Sequence, residues 1–180
     1  MSATSQPGEP DRQTRLARMI RVDHAGEYGA ERIYAGQLAV LGRGDKAELL
    51  RHMKDQETHH KAVFSDLIVR RRIRPTALLP LWHVAGFALG AVTAAIGPRA
   101  AMACTVAVEE AIDEHYATQA ASLDESEPEL RQTIETFRLE ELEHRDIGLA
   151  NEAELAPAYR MMARIIKTGC RAAIAVSEIV

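Results

Sequence analysis

Apolar residues recur along this chain at alternating steps of three and four, the period of one face of an α-helix. The pattern runs through six segments, approximately residues 14–41, 46–72, 79–96, 99–123, 128–150 and 157–178. Breakers separate them: Gly-Arg-Gly-Asp at 42–45, Pro75 and Pro80, Gly97-Pro98, Asp-Glu-Ser-Glu-Pro at 124–128, and Pro157. Strand signals are scarce, with three Phe, four Tyr and one Trp, short β-branched runs and no Asn-Gly or Asp-Gly turn. The pattern predicts an all-α protein.

Four of the six helices carry something unusual on their inward faces. The first reads Leu16, Ile20, Asp23, Glu27, Ala30, Tyr34, Leu38, Leu41; the second Leu50, Met53, Glu57, His60, Phe64, Leu67. The fourth reads Met102, Thr105, Glu109, Ile112, Tyr116, Gln119, Leu123; the fifth Leu130, Ile134, Phe137, Glu141, His144, Gly148. Each face has a carboxylate near its middle and no Lys or Arg to neutralise it.

A lone Glu-x-x-His is a weak signal, and a histidine on an apolar face is more often a hydrogen-bonded core residue. Here the pattern repeats. Glu57 with His60 and Glu141 with His144 are two such pairs, and Glu27 with Tyr34 and Glu109 with Tyr116 are two Glu-x6-Tyr pairs. The chain therefore reads as two copies of one helix pair, related by an approximate twofold. Residues three apart project from one side of a helix, so each Glu and His can hold the same ion. One Glu from each of two helices, plus Glu-x-x-His from each of two more, is the arrangement of ferritin-like di-metal carboxylate bundles. Unpartnered burial of four carboxylates would cost several kcal/mol apiece, or raise their pKa values until they neutralised. Two divalent cations would balance their charge. One imidazole per ion among oxygens, with no thiolate, suits iron or manganese better than structural zinc.

The predicted fold is thus a ferritin-like four-helix bundle with a long crossover helix and an extra C-terminal helix. The candidate metal ligands are Glu27, Glu57, His60, Glu109, Glu141 and His144. Tyr34 and Tyr116 are candidates to hydrogen-bond the carboxylates, with core packing as the alternative, and Asp23 is a candidate to orient a ligating imidazole. Glu31, Glu110, Glu140 and Glu143 lie off the seams and are expected in solvent or in ion pairs along the helix. His24, His52, His59, His83 and His115 lack the matched spacing and are expected at the surface or an interface.

Composition narrows the setting. With 180 residues, 47% of them apolar, the chain suits one domain over residues 14–180, after a polar, turn-forming tail at 1–13 expected to be disordered. That tail has neither the apolar core of a secretory signal nor the Arg-rich pattern of a transit peptide, which points to a cytoplasmic protein or a mature form. A net charge of −4 gives no basic field for nucleic acid. Cys104 and Cys170 sit in apolar surroundings without metal-ligand spacing, as two reduced thiols would.

Residues 76–98 contain no Asp, Glu, Lys or Arg, and they follow Arg70, Arg71, Arg72 and Arg74. The length approaches the ~20 residues that span a bilayer, but Pro80, His83 and many Ala and Gly weaken that reading. A crossover helix with an apolar outer face, lying in one leaflet or covering a hydrophobic ligand, fits better. The four arginines with Leu81, Trp82 and Phe87 are then the membrane-contact candidates, on anionic lipid. Burial in an oligomer interface is the competing reading. The amphipathic last helix either extends this surface or packs on the bundle.

Four segments carry a specific resemblance: RVDHAGEYGAERIYAGQ (21–37), MKDQETHH (53–60), CTVAVEEAIDEHYATQ (104–119) and EELEHRDIGL (140–149). Together they resemble the demethoxyubiquinone hydroxylase family, the ferritin-like di-iron monooxygenases of ubiquinone biosynthesis, from about residue 15 to the C-terminus. The resemblance implies iron at the same six ligands and O2-dependent hydroxylation of a 2-polyprenyl-3-methyl-6-methoxy-1,4-benzoquinol ring. It also implies a peripheral place on the cytoplasmic face of a bacterial membrane, or on the matrix side of the mitochondrial inner membrane. Electrons must come from outside, since no nucleotide-binding fingerprint is present, with NADH or a separate reductase as donor. A homo-oligomer or a lipid-binding partner protein is compatible with it. Two other functions share the predicted fold: a ferroxidase, iron-storage or peroxide-handling protein, and a membrane-bound helical scaffold with a structural metal site.

Overall fold

Residues 11–180 are described by a computed structural model, and helices form close to where the periodicity places them. Helix α1 spans Arg12–Leu41, α2 Ala47–Arg70, α3 Leu79–Ile96, α4 Pro98–Ser122, α5 Pro128–Ala150 and α6 Tyr159–Ser177. No strand occurs among the described residues. Residues 1–10 of the expected tail lie outside the described ones. Residues 12 and 13 of it are helical, because Asp11 caps α1 by accepting a hydrogen bond from the Thr14 amide at 2.7 Å. Helix α6 starts later than its apolar period, after a 3-10 turn at Ala153–Leu155 and left-handed residues at Glu152 and Ala158.

Short connections make α1 and α2 neighbours, and likewise α4 and α5. Helix α3 crosses between these halves, packing on α1 and α4, while α6 covers α4 and touches α1. The passage from α3 to α4 is abrupt. Gly97 takes φ +145°, a region side-chain-bearing residues rarely adopt, and Pro98 occupies the first turn of the next helix.

Two apolar clusters fill the bundle from its two ends. One gathers Ile20, Phe64, Tyr116, Leu130, Ile134 and Phe137, the other Tyr34, Leu50, Met53, Met102, Val106 and Ala153. Each ends in a tyrosine pointing toward the middle. A third cluster, with Ile33, Cys104, Val108 and Ile166, joins α1 and α4 to α6. Cys104 is buried, Cys170 half-buried, and both are free thiols.

The crossover stays on the bundle by backbone contact. A Cβ built on Gly90 would lie 1.9 Å from the Ile33 carbonyl oxygen, and one on Gly36 2.1 Å from that of Phe87. In an unpacked helix Gly→Ala is worth ~1 kcal/mol of added stability. Gly90→Ala is expected to do the opposite here, lowering stability by about 1–3 kcal/mol through overpacking. Denaturant unfolding monitored by circular dichroism gives the sign, and a stabilised variant would mean α1 and α3 are not in backbone contact.

Candidate metal centre

Between the two apolar clusters, the helices bring all six candidate ligands together. Glu27 comes from α1, Glu57 and His60 from α2, Glu109 from α4, and Glu141 and His144 from α5; none is more than 1% exposed. They form two overlapping groups, Glu27, Glu57, His60 and Glu141, and Glu57, Glu109, Glu141 and His144. In each group one potential ligand atom per residue lies within 4.8 Å of the others. Glu57 and Glu141 belong to both.

Both imidazoles present Nδ1 to the carboxylates. His60 Nδ1 is 3.3 Å from Glu27 Oε2 and 3.2 Å from Glu141 Oε1. His144 Nδ1 is 3.1 Å from Glu57 Oε1 and 3.3 Å from Glu141 Oε2. None of these contacts has the geometry of a hydrogen bond. Both oxygens of Glu57 and of Glu141, Oε2 of Glu27 and of Glu109, and both Nδ1 atoms are buried without a partner. Eight orphaned polar atoms facing one small volume would be costly in a core designed for packing alone. Their donor chemistry fits a metal site, and no Lys or Arg pairs with these carboxylates among the described residues.

The remaining oxygens are tied down across the bundle. Tyr34 of α1 donates to Glu109 Oε1 on α4 at 2.7 Å, and Tyr116 of α4 donates to Glu27 Oε1 on α1. So Glu27 and Glu109 are each anchored by one oxygen and present the other, whereas Glu57 and Glu141 present both. Burial, reinforced by the neighbouring carboxylates, pushes both phenols well above their usual range and keeps them protonated as donors.

The carboxylates and imidazoles divide charge unevenly among themselves. Burial and the adjacent carboxylates drive Glu57 and Glu109 well above the normal carboxylate range. Burial opposes charge on His60 too, but Glu141 and Glu27 outweigh it and raise the imidazole to about 12. His144 is raised for the corresponding reason. Glu141 moves the other way, to about 2, because its two flanking imidazoles overcome the burial.

The outward nitrogens of these imidazoles meet residues that the sequence pattern passed over. His60 Nε2 lies 2.5 Å from Glu140 Oε2 on α5, and His144 Nε2 lies 2.9 Å from Gln56 Oε1 on α2. Glu140 is therefore half-buried on an imidazole and not in an ion pair along its own helix. The available signal was positional, since Gln56 and Glu140 each stand immediately before the Glu of a Glu-x-x-His. Asp23 does not orient either candidate ligand. It accepts from Gln119 Nε2 at 2.7 Å and lies 3.3 Å from His115 Nε2, with its pKa raised to about 6 by burial, against His115 and Gln119. The reason is register: Asp23 is one turn nearer the bundle end and meets α4. His24, expected at the surface or an interface, is buried. Glu31 bridges Lys54 and Lys61 on α2, and Glu110 pairs with Lys167 on α6.

Toward the surface, the apolar crossover is largely exposed on its outer side, with Leu81, Val84, Val92 and Ile96 all more than half exposed. By length and composition α3 could cross a bilayer. Trp82 turns inward instead, its indole nitrogen donating to Ser177 Oγ at 3.0 Å, and Phe87 is half-buried beneath Arg32. Arg70, Arg72 and Arg74 are exposed, while the Arg71 guanidinium is held by Glu127 at 2.6 Å. Helix α6 exposes Met161, Ile165 and Val176. Among α1, α3, α4 and α6 lies an apolar cavity of about 420 Å³, walled by Ala25, Ile33, Trp82, Leu89, Val108 and Ile166. Gly26 and Val108 in its wall adjoin Glu27 and Glu109 in sequence.

Residues 14–177 match the family described as ubiquinone biosynthesis protein COQ7. The NADPH-dependent 3-demethoxyubiquinone 3-hydroxylase, mitochondrial, of Mus musculus is 59% identical over 165 residues, covering 89% of this chain and 76% of that protein. The 3-demethoxyubiquinol 3-hydroxylase of Rhodospirillum rubrum is 58% identical over 173 residues, covering 96% and 82%. The 5-demethoxyubiquinone hydroxylase, mitochondrial, of Saccharomyces cerevisiae is 44% identical over 176 residues, covering 88% and 76%.

The burial of Glu57 predicts a pH signature in chelator-treated protein. Its folded pKa is raised, so its favourable contribution is full below its ordinary value of 4.5 and is lost as pH climbs through the raised value. Glu57→Gln, neutral at every pH, is therefore expected to unfold at higher denaturant than the parent at pH 7, by about 1–3 kcal/mol. The gap should close near pH 4. A variant less stable than the parent at pH 7 would show that Glu57 serves the fold itself.

Proposed function

The chain belongs to the COQ7 family and is a demethoxyubiquinol hydroxylase of ubiquinone biosynthesis; we propose that it performs the hydroxylation at two iron ions held by the buried Glu/His cluster. One observation carries the assignment of the site: eight orphaned donor atoms on six residues, arranged as two overlapping groups that share Glu57 and Glu141. Glu27 and His60 would complete one ion's ligands and Glu109 and His144 the other's. Glu57 and Glu141, with both oxygens free and a place in both groups, would be available to either ion. Oxygen-rich ligation with one imidazole per ion suits iron, which supplies the redox chemistry for activating O2.

The reaction balances as follows. A ring C–H becomes C–OH with one oxygen atom of O2, and the other atom leaves as water after taking up two electrons and two protons. The chain has no nucleotide fingerprint, so the electrons come from an external donor. NADPH stands in the name of the mouse relative, and a reduced nicotinamide is the donor class proposed here.

The protein's own groups prepare this chemistry. Tyr34 and Tyr116 fix one oxygen of each terminal carboxylate and leave the other aimed inward. The apolar clusters on either side exclude water from the centre. The cavity among α1, α3, α4 and α6 has the width and apolar walls to admit a quinol ring with its prenyl tail past Gly26 and Val108. The exposed apolar faces of α3 and α6 support an entrance that lies against a bilayer, and exposed Arg70, Arg72 and Arg74 suit its anionic headgroups. The packing of α3 on α1 along Gly86 and Gly90 supports a helix lying in one leaflet rather than spanning the bilayer. The membrane is the cytoplasmic one of a bacterium, or the mitochondrial inner membrane reached from the matrix. The mouse and yeast relatives are named mitochondrial. A ferroxidase would share the six ligands, but has no use for an apolar cavity opening between greasy helices.

Anaerobic Fe(II) reconstitution, then O2 and a reductant with a demethoxyquinol, should add one oxygen atom to the ring, read by mass spectrometry. Glu141→Ala should lower turnover at least about 100-fold while the helical circular dichroism persists. Two irons bound with an unmodified quinol would shift the chemistry to ferroxidase or peroxide turnover. Replacing exposed Leu81 and Val84 together by Asp should weaken flotation with phosphatidylglycerol-containing vesicles by about tenfold or more, at unchanged stability. Undiminished flotation would remove α3 from the membrane face.

A further inference from the structure

The two halves of the centre match in their inward donors but not in what stands behind the imidazoles. His60 is backed by the carboxylate of Glu140, at 2.5 Å, and His144 by the amide of Gln56, at 2.9 Å. Each backing residue sits just before the Glu of one helix and reaches the His of the other, so the twofold is kept in position and broken in chemistry. We propose that this difference makes the two metal positions unequal: Glu140 makes the position of Glu27, Glu57, His60 and Glu141 the tighter one, which fills first. The inference rests on the cluster being the metal centre.

The backing group sets both where the imidazole proton sits and how strongly the ring donates. A carboxylate only accepts, so an ionised Glu140 requires the His60 proton to sit on Nε2 and leaves the Nδ1 lone pair facing Glu27 and Glu141. An amide both donates and accepts. Gln56 can present oxygen to an Nε2–H or, turned over, its NH2 to a bare Nε2, so it permits the ligating tautomer of His144 without enforcing it. The second effect is donor strength. A hydrogen bond to an ionised acceptor is roughly twice as strong as one to a neutral acceptor, and it pushes electron density through the ring toward the coordinating nitrogen. Glu140 keeps 34% of its side-chain surface exposed, which weakens its field on the interior, but not the direct bond. Glu140 and Gln56 touch no reacting atom in this scheme. They are positioning residues.

The test is anaerobic titration of the metal-free protein with Co(II), followed by its visible absorption and by calorimetry. The parent should bind two ions in separable steps. Glu140→Gln, which puts an amide behind both imidazoles, should weaken the first step by about 10- to 100-fold, the range for lost outer partners, and merge it with the second. Gln56→Glu should strengthen the second step and leave the first. The exchange variant carrying both substitutions should recover two unequal steps, an outcome that mere damage to packing does not produce. Equal steps in the parent, or a Glu140→Gln isotherm identical to the parent's, would overturn the inference while leaving a two-ion centre intact. Failure of the parent to bind two ions would overturn the metal reading itself, and this inference with it. If Glu140→Gln fails to fold by circular dichroism, the Gln56→Glu isotherm decides, and an unstrengthened second step counts against the proposal.

Discussion

Four carboxylates lie in the middle of a helical bundle with no Lys or Arg among the described residues to neutralise them, and the rest of the molecule is arranged around that fact. A buried carboxylate has three ways to become tolerable: it takes a proton, it takes a hydrogen bond, or it takes a cation. The first two are visible, and imidazoles supply part of the third. Glu57 and Glu109 are pushed toward protonation, Glu27 and Glu109 accept from tyrosines, and Glu141 stays charged between two imidazoles. None of these removes the orphaned oxygens of Glu57 and Glu141. Metal cations would satisfy every donor at once, which is the reading proposed above. The crossing of partners follows from the same need. Each tyrosine serves the Glu of the opposite half, and each imidazole is backed from the opposite helix, so no helix can move without disturbing a neighbour's ligand.

That interdependence explains which parts could be read from sequence. The six candidate ligands were legible because each lies on a seam whose apolar members share its period, and two matched halves reinforced a signal that one Glu-x-x-His does not carry. The tyrosine contacts were legible for the same reason, being two turns along the same seams. Glu140 and Gln56 were not, since each is one residue off its seam. They reach an imidazole only because α2 and α5 lie side by side at a distance no single-helix period encodes. Asp23 erred in the other direction. It sits on the seam, but the seam alone does not say which helix a buried carboxylate will meet, and it met Gln119 and His115.

The crossover shows a second kind of ambiguity. A charge-free run of this length is compatible with spanning a membrane, with burial in a core, and with lying on a surface. Hydropathy does not separate these. The spacing of glycines sets core burial aside, because α3 presses its backbone against α1 and leaves the opposite side bare. Trp82 belongs to the first side and Leu81 to the second, one residue apart, and composition gives no warning of it.

The same packing ties entry to chemistry. The cavity exists because small residues on α1 and α3 meet larger ones on α6 that do not fill the gap between them. Its walls include Gly26 and Val108, the residues next to Glu27 and Glu109, whose carboxylates are anchored by Tyr116 and Tyr34. The cavity and the carboxylate cluster thereby share α1 and α4. Enlarging a residue on the α1–α3 contact would burden both: it would push apart the backbones that shape the entrance and shift Glu27 relative to its partners on α2. For that reason the glycines of the crossover belong to the functional design as much as the ligands do.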